Sequence, residues 1–137
     1  MPMPVRILTP DGVVFETDDA SVVTAPGEAG DLAVEPGHSN LMTTLRIGPL
    51  SVRTPDGADH LLAVHGGFLE ATPQRVVIVA DAAEKPEDID PTRAEAARRR
   101  AERRLRLKRE DIDMARAEAA LKRAFLRLDV AGEHAAG

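Results

Sequence analysis

The feature that most constrains the fold of this chain is a change in amino-acid composition after Ala82. Residues 1–82 consist of short aliphatic runs separated by proline and glycine, whereas residues 83–137 are rich in Ala, Glu, Arg and Leu. The first composition is typical of strands and turns, and the second is typical of helices. The charge changes too, because residues 1–82 hold four arginines against eleven carboxylates and residues 83–137 hold 14 basic against 12 acidic residues. Two domains of different class are therefore predicted.

The pattern in residues 1–82 predicts a series of short strands. Tight reversals are expected at Pro10-Asp11-Gly12 and at Pro55-Asp56-Gly57, because proline and glycine supply the backbone angles that a turn requires. No segment of helix length interrupts the strands, which argues against βαβ units and favours a sandwich or barrel. The predicted strands are residues 4–10, 19–26, 41–47, 49–54, 59–67 and 74–81.

The second part begins with a strong helix start signal. Asp90 is a good N-cap, and Pro91 suits the first helical position, where its missing N–H costs nothing. Ile89 is placed to pack on Ala94 as a hydrophobic staple. A helix is predicted from this point to about Leu107.

A second helix is predicted after a polar break. Asp111 or Asp113 caps it, and it runs to about Val130, with Gly132 ending it. Each helix carries a narrow apolar stripe made mostly of alanine, which permits close approach but buries little area. A lightly held antiparallel hairpin is expected. The stripes comprise Ala94, Ala97, Ala101 and Leu105 in the first helix, and Ala117, Leu121, Ala124 and Leu128 in the second.

The composition also excludes several classes of function. The chain has no cysteine, so thiol catalysis, thiolate metal sites and disulfides are excluded. No apolar run approaches the roughly 20 residues of a membrane span, and no secretory leader is visible, so a soluble intracellular protein without direct membrane insertion is expected. No catalytic or metal-binding constellation is found, so a free-standing enzyme is not supported. The four histidines are interpreted as non-catalytic: His38, His60, His65 and His134.

The arginine-rich segment 89–109 admits three interpretations. It is a solvated helix with pairs such as Glu95–Arg99 and Glu102–Arg106, or a nucleic-acid-binding helix, or one wall of a compact anion site. Interleaved carboxylates and the lack of aromatics for base stacking weigh against nucleic acid. Arg93, Arg100 and Arg104 lie near one helix face, and Arg123 and Arg127 lie four residues apart on the second helix.

Taken in order, the residues resemble the epsilon subunit of bacterial F-type ATP synthases over essentially the whole length. Residues 24–50, "TAPGEAGDLAVEPGHSNLMTTLRIGPL", are similar to the most recognisable segment of that family. Residues 66–84 are similar to the last strands of its sandwich. Residues 87–97 and 120–128 are similar to its two helices.

The resemblance implies a ten-stranded β-sandwich over residues 1–85 and a regulatory helical hairpin over residues 86–137. It implies a non-catalytic central-stalk subunit that binds the gamma subunit and the ring of c subunits and couples proton flow to ATP synthesis. The hairpin is expected either to fold down on the sandwich or to extend into the alpha/beta hexamer. The extended form is expected to oppose ATP hydrolysis. The expected location is peripheral, at the cytoplasmic face of the bacterial cell membrane.

The same resemblance implies roles for particular residues. Asp31 and His38 match positions that touch the c ring, with aspartate standing where some relatives have glutamate. No cofactor is required, but ATP is expected as a regulatory ligand of the folded hairpin. Its contacts would be Ile89, Asp90, Arg93 and Ala94 of the "IDPTRA" motif, supported by Glu84, Arg100, Arg123 and Arg127. The other arginines, Arg98, Arg99, Arg103 and Arg106, are expected to face solvent when the hairpin is folded.

Overall fold

The chain divides into two compact units, Met1–Lys85 and Pro86–Gly137. A computed structural model describes residues 2–136, with side chains described as far as Gly132. The first unit holds the strands, and the second holds a single 3₁₀ turn at Pro86–Asp88 followed by two helices. Each unit is described by itself below.

The first unit is an eight-stranded sheet. The strands are β1 (Val5–Thr9), β2 (Gly12–Thr17), β3 (Val22–Gly27), β4 (Gly30–Val34), β5 (Leu41–Arg53), β6 (Asp59–Thr72), β7 (Arg75–Ala80) and β8 (Ala83–Glu84). They are hydrogen-bonded in the order β2-β1-β7-β6-β5-β3-β4, and β8 pairs with β6. β1 runs parallel to β7, and the other ladders are antiparallel.

The two long strands, β5 and β6, serve both layers of the sandwich. Leu41–Leu45 pairs with Gly67–Ala71, on the side where β6 also pairs with β7. Beyond the ladder gap at Arg46 and Gly66, the other half of β5 pairs with Asp59–His65 and with β3. Gly66 and Gly67 have φ values of 82° and 128°, which side chains disfavour. This glycine pair therefore lets one continuous ladder change direction and form two layers.

The number of strands differs from the ten that were expected. Eight are found because β5 and β6 are each unbroken, although each contributes to both layers. The predicted strands 41–47 and 49–54 are likewise a single strand, β5. Pro49 does not interrupt it, since Pro49 lies where the β3–β5 ladder is broken, between Thr24 and Gly27, and its missing N–H has no partner to lose.

The core of the sandwich is aliphatic, as the shortage of aromatics predicts. Alternate residues of the strands point inward, in keeping with the two-residue period of a strand. Phe15 is partly buried and packs against the edge of this core. The fully buried large side chains are Met3, Val5, Ile7, Val23, Val34, Leu50, Val52, Leu62, Val64, Leu69, Val76 and Ile78.

The second unit contains α1 (Pro91–Leu107) and α2 (Met114–Ala136). α1 begins and ends where the sequence predicts, and it ends on Lys108 in the left-handed conformation, with φ 48°. Asp113 caps α2 by accepting a hydrogen bond from the Arg116 N–H at 3.1 Å. The predicted end of α2 at Gly132 is wrong. The helix continues because a single glycine costs only about 1 kcal/mol and strong helix formers follow it.

The helices pack against each other through the predicted alanines. The six-residue connection 108–113 makes them antiparallel neighbours. Ala94 and Ala101 of α1 and Ala117 and Ala124 of α2 are buried. The leucines of the predicted stripes are only half-buried, and Leu126 and Val130 are buried instead. A buried CH₂ contributes about 0.8 kcal/mol, so this alanine seam stabilises the hairpin weakly.

Gly67→Ala tests the role of the glycine pair. A Cβ at Gly67 would lie 2.2 Å from the Val79 carbonyl oxygen, in a backbone conformation that also disfavours it. We expect a loss of about 2–4 kcal/mol in the free energy of unfolding, measured by denaturant titration. Gly57→Ala is the matched control, because Gly57 has a φ of 88° but open space around its Cα. Equal losses for the two variants would contradict this account.

Candidate functional site

The β3–β4 edge of the sandwich contains Asp31, one of the two predicted ring-contact residues. Asp31 lies on β4 opposite Pro26 of β3, and its side chain is 67% exposed. Its Oδ1 accepts a hydrogen bond of 2.6 Å from Arg46 Nη2 of β5. Arg46 Nη1 donates to the Gly27 carbonyl oxygen at 2.8 Å. Asp31 is therefore an exposed carboxylate held by a guanidinium that spans three strands.

His38, the other predicted ring-contact residue, lies in the connection after β4. Its backbone N–H donates to the Glu35 carbonyl oxygen at 3.2 Å, which closes a turn through Pro36 and Gly37. Its ring Nδ1 lies 2.6 Å from the Ser39 carbonyl oxygen, so Nδ1 carries the proton. The imidazole is half-buried and fixed by this local hydrogen bond.

The outer face of one layer carries an exposed apolar row. Successive partners across five strands are Thr44, Phe68, Val79, Leu8 and Val13. Val13 is 51% exposed and Phe68 is 42% exposed, and Met42, two residues from Thr44 on the same face, is 66% exposed. We name these six residues the outer apolar row. A contiguous exposed apolar surface of this kind marks an interaction site.

The "IDPTRA" motif forms the start of α1. Asp90 Oδ1 accepts hydrogen bonds from the Thr92 N–H at 3.0 Å and the Arg93 N–H at 3.3 Å, so Asp90 is the N-cap. Ile89 and Ala94 are buried, as the staple prediction requires. The Arg93 side chain is exposed. The motif therefore has a structural role in starting the helix whether or not a ligand binds there.

Arg98 departs from the sequence interpretation, which placed it in solvent. Its guanidinium donates to Glu102 Oε1 at 2.7 Å and to both carboxylate oxygens of Glu95, and its side chain is only 26% exposed. It is covered because it lies between Ala94 and Ala101, which are buried on the same side of α1. The predicted Glu95–Arg99 pair is present at 3.3 Å. Glu102, which was expected to pair with Arg106, bonds to Arg98.

The Glu95–Arg98 pair also changes proton affinities. Hydrogen bonding to Arg98 holds the pKa of the Glu95 carboxyl below its ordinary value. Hydrogen bonds from the guanidinium to Glu95 and Glu102 raise the pKa of Arg98. Each partner thus favours the charged form of the other.

A cleft of about 660 Å³ lies near the connection between α1 and α2. Its basic lining residues are Arg104, Arg116 and Arg123, and no ion pair is found for them within the described part of the chain. Ile112 and three alanines supply apolar walls, and Asp111 and Asp113 complete the lining. Three guanidiniums around one cleft can bind phosphate oxygens bidentately.

The structure brings only one of the predicted ATP contacts to this cleft. Arg123 lines it, while Arg93, Arg100 and Arg127 are not among its lining residues. Arg104 and Arg116 were absent from the predicted set. The signal for Arg104 was present in the sequence, because it shares a helix face with Arg93 and Arg100.

Glu84 belongs to the strand unit, where its carboxylate meets a histidine. Its Oε1 lies 2.7 Å from His65 Nε2, and the His65 side chain is only 4% exposed. His65 Nδ1 is buried without a hydrogen-bond partner among the described residues. The Nε2–H of His65 therefore donates to the Glu84 carboxylate.

Of the remaining two histidines, only His60 has a described side chain. The His60 ring lies 5.0 Å from the ring of Phe15. The side chain of His134 lies outside the described residues. Within the part of the chain that the structure describes, no group of three histidines, cysteines or carboxylates is arranged to hold a metal ion. None of the described helices is long and apolar enough to cross a membrane.

Comparison with protein families identifies both units. Residues 2–86 match the beta-sandwich domain of the ATP synthase delta/epsilon chain, and residues 87–132 match the long alpha-helix domain of the same chain. The chain therefore belongs to the ATP synthase delta/epsilon chain family, and the predicted resemblance is confirmed.

Individual relatives agree over nearly the whole length. The ATP synthase epsilon chain of Bacillus subtilis (strain 168) is 48% identical over 129 residues, covering 94% of this chain and 96% of that one. The epsilon chain of Pelotomaculum thermopropionicum is 52% identical over 128 residues, covering 93% and 94%. A chain in the cryo-EM structure of Euglena gracilis mitochondrial ATP synthase (OSCP/F1/c-ring) has the same fold, with a TM-score of 0.81 at 20% identity, covering 99% of this chain and 82% of that one.

The Glu95–Arg98 pair predicts a pH dependence for the second unit. Because the Glu95 pKa is depressed in the folded state, the pair stabilises the helices fully above the ordinary glutamate pKa of 4.5. This contribution is lost as the pH falls through the lower, folded-state pKa. Glu95→Gln should therefore lower helix stability at about pH 6, and its difference from the unmodified chain should shrink towards about pH 3.

Thermal melting followed by circular dichroism at both pH values measures this difference. Glu118→Gln is the control, since Glu118 is an exposed glutamate of α2 that has no ion pair among the described residues. A pH-independent effect of Glu95→Gln would show that the pair does not contribute through its charge.

Proposed function

We infer that the chain is the epsilon subunit of an F-type ATP synthase, a non-catalytic part of the central stalk. The observation that carries this conclusion is the match of both units, in order, to the two domains of one family. Relatives of nearly equal length are named as epsilon chains. Its contribution is to couple proton translocation to ATP synthesis in the assembled complex.

The outer apolar row is the proposed docking surface for the gamma subunit. Exposed Phe68, Met42 and Val13 would remain in water if the sandwich were alone. Burying each side chain of this size contributes about 1.5–3 kcal/mol, which is enough for a stable subunit contact when several act together. The row lies on the outer face of a rigid sheet, so little conformational entropy is lost on docking.

The β3–β4 edge and the following turn are the proposed contact with the c ring. Asp31 is exposed there, and His38 lies in the turn that follows β4. A charged and hydrogen-bonding rim suits contact with polar loops better than an apolar surface does. These contacts would place the chain at the cytoplasmic face of the bacterial cell membrane, as a peripheral part of the complex.

The helical unit is the proposed regulatory part. Its alanine seam is weak, so an equilibrium between a closed hairpin and an extended form in contact with the alpha/beta hexamer requires little energy. ATP is the proposed ligand of the closed form. Arg123, together with Arg104 and Arg116, supplies for the phosphates guanidiniums that have no ion pair among the described residues, and binding would stabilise the closed form by mass action. Nucleic-acid binding is disfavoured, because Glu95 and Glu102 offset part of the charge of the basic helix.

Phe68→Glu tests gamma docking. A charge in the centre of the outer apolar row should prevent stable association, because the carboxylate would be buried without a partner. A tagged chain should bring down the gamma subunit and the alpha/beta hexamer, and the variant should bring down much less of both. Thr24→Glu on β3, an exposed strand position outside the row, is the control. Equal recovery with Phe68→Glu would rule out this surface.

Calorimetric titration of the isolated chain with ATP tests the ligand. Arg123→Gln should weaken binding by about tenfold, the effect of losing one charge-assisted hydrogen bond. Asp90→Asn preserves helix capping and changes a residue that does not line the cleft, so a loss of affinity in that variant would instead favour the predicted contact with the "IDPTRA" motif. Arg103→Gln is the control, since Arg103 is exposed and does not line the cleft.

The melting temperature should rise with ATP in the unmodified chain. The absence of heat at about 1 mM ATP, together with an unchanged melting temperature, would remove the nucleotide proposal. The proposed stalk role does not depend on that result.

A further inference from the structure

The backbone ladder is interrupted next to the proposed ring-contact edge. β3 and β5 pair from Val22 to Thr24 and again at Gly27, where the partner is Leu45 after a shift in register. Between these points Pro26 has no N–H to donate. The β3–β4 hairpin is an edge of the sheet, so without other bonds this segment would be held loosely.

Arg46 fills the interruption with side-chain hydrogen bonds. It lies on β5 and has no ladder partner on β6. Nη1 binds the Gly27 carbonyl oxygen of β3 at 2.8 Å, and Nη2 binds the Asp31 carboxylate of β4 at 2.6 Å. The planar guanidinium thus ties the edge hairpin to the centre of the sheet through two separate donors.

The surroundings make this arrangement specific. A Cβ on Gly48 would lie 2.6 Å from Pro26 Cβ, so β3 approaches β5 closely at this point. The Thr44 hydroxyl donates to the Glu28 carboxylate, and the Glu28 N–H donates to the Thr44 carbonyl oxygen at 2.9 Å. Thr44 therefore fixes the turn between β3 and β4, and Arg46 fixes the Asp31 carboxylate that follows this turn on β4.

We propose that Arg46 is a positioning residue for the c-ring contact: it holds Asp31 and the β3–β4 hairpin in the geometry that meets the ring. The proposal rests on the proposed function, specifically on contact between Asp31 and the ring. Arg46 acts through Asp31 and does not itself bind the ring. In consequence Asp31 presents a carboxylate that is already hydrogen-bonded to Arg46 instead of a free one.

The test measures the affinity of the fluorescently labelled full chain for two preparations that lack this subunit. One is the ATP synthase with all of its other subunits, and the other is its gamma-containing catalytic part without the c ring. The ratio of the two dissociation constants isolates the contribution of the ring. A general loosening of the sandwich would weaken both affinities equally and leave this ratio unchanged.

Four variants and a control are compared. Arg46→Gln and Asp31→Asn should each reduce the ring contribution by about threefold, the effect of one exposed ion pair, and the double variant should lose no more than either single variant. Arg46→Lys keeps the positive charge but not the two separate guanidinium donors. Its ring contribution should therefore lie between those of the unmodified chain and Arg46→Gln. Arg53→Gln should have no effect, because Arg53 of the same strand pairs with Asp59, 3.8 Å away and outside the hairpin.

The possible failures are distinguishable. If Asp31→Asn leaves the ring contribution unchanged, the proposed ring contact through Asp31 is wrong. If Asp31→Asn reduces it and Arg46→Gln does not, the ring contact stands and the positioning role of Arg46 is overturned. Losses that add in the double variant would also overturn the proposal, because they would mean that Arg46 binds the ring independently.

Discussion

The strand unit depends on one constraint, the change of direction of the β5–β6 ladder at Gly66 and Gly67. Both layers of the sandwich contain these two strands, so the layers form only if the backbone passes through angles that side chains disfavour. The Gly67 position is also closed sterically, since a Cβ would meet the Val79 carbonyl oxygen. The aliphatic core inside the layers and the apolar row outside both follow from this one continuous ladder.

The two units are stabilised in very different ways. The sandwich has a large core of fully buried Val, Leu and Ile, and its edge hairpin has an additional guanidinium clamp. The helices meet through alanines that bury little area, and local devices such as the Asp90 cap and the Glu95–Arg98–Glu102 cluster stabilise α1 from within. A helix that carries its own stabilising contacts can stay helical when its partner moves away. This division is consistent with the proposed roles, in which the sandwich docks and the helical unit regulates.

The sequence predicts what depends on local chemistry. The cap at Asp90, the end of α1 near Leu107 and the two Pro-Asp-Gly turns need information from only a few neighbouring residues. Continuity of β5 through Pro49 could not be predicted, because it depends on a register gap with a strand some 25 residues away along the chain. The bonds from Arg46 to Gly27 and Asp31 are equally non-local. The partial burial of Arg98 was not predicted for a different reason. Glu95 and Glu102 are at helical spacing from several arginines, and packing decides which of Arg98, Arg99 and Arg106 each glutamate binds.

Packing also divides the arginines of the helical unit into two groups with opposite energetic consequences. Arg98 and Arg99 have glutamate partners on their own helix, so their charges are compensated whether the hairpin is closed or open. Arg104 on α1 and Arg116 and Arg123 on α2 line one cleft together with Asp111 and Asp113, so positive charge from both helices meets there and is only partly balanced. Repulsion between Arg104 and the two α2 arginines opposes the weak alanine seam, and the proposed polyphosphate ligand would offset that repulsion by binding arginines of both helices. Ligand binding would therefore shift the hairpin towards the closed state by no more than the free energy of binding, and the repulsion that has to be offset lowers that affinity.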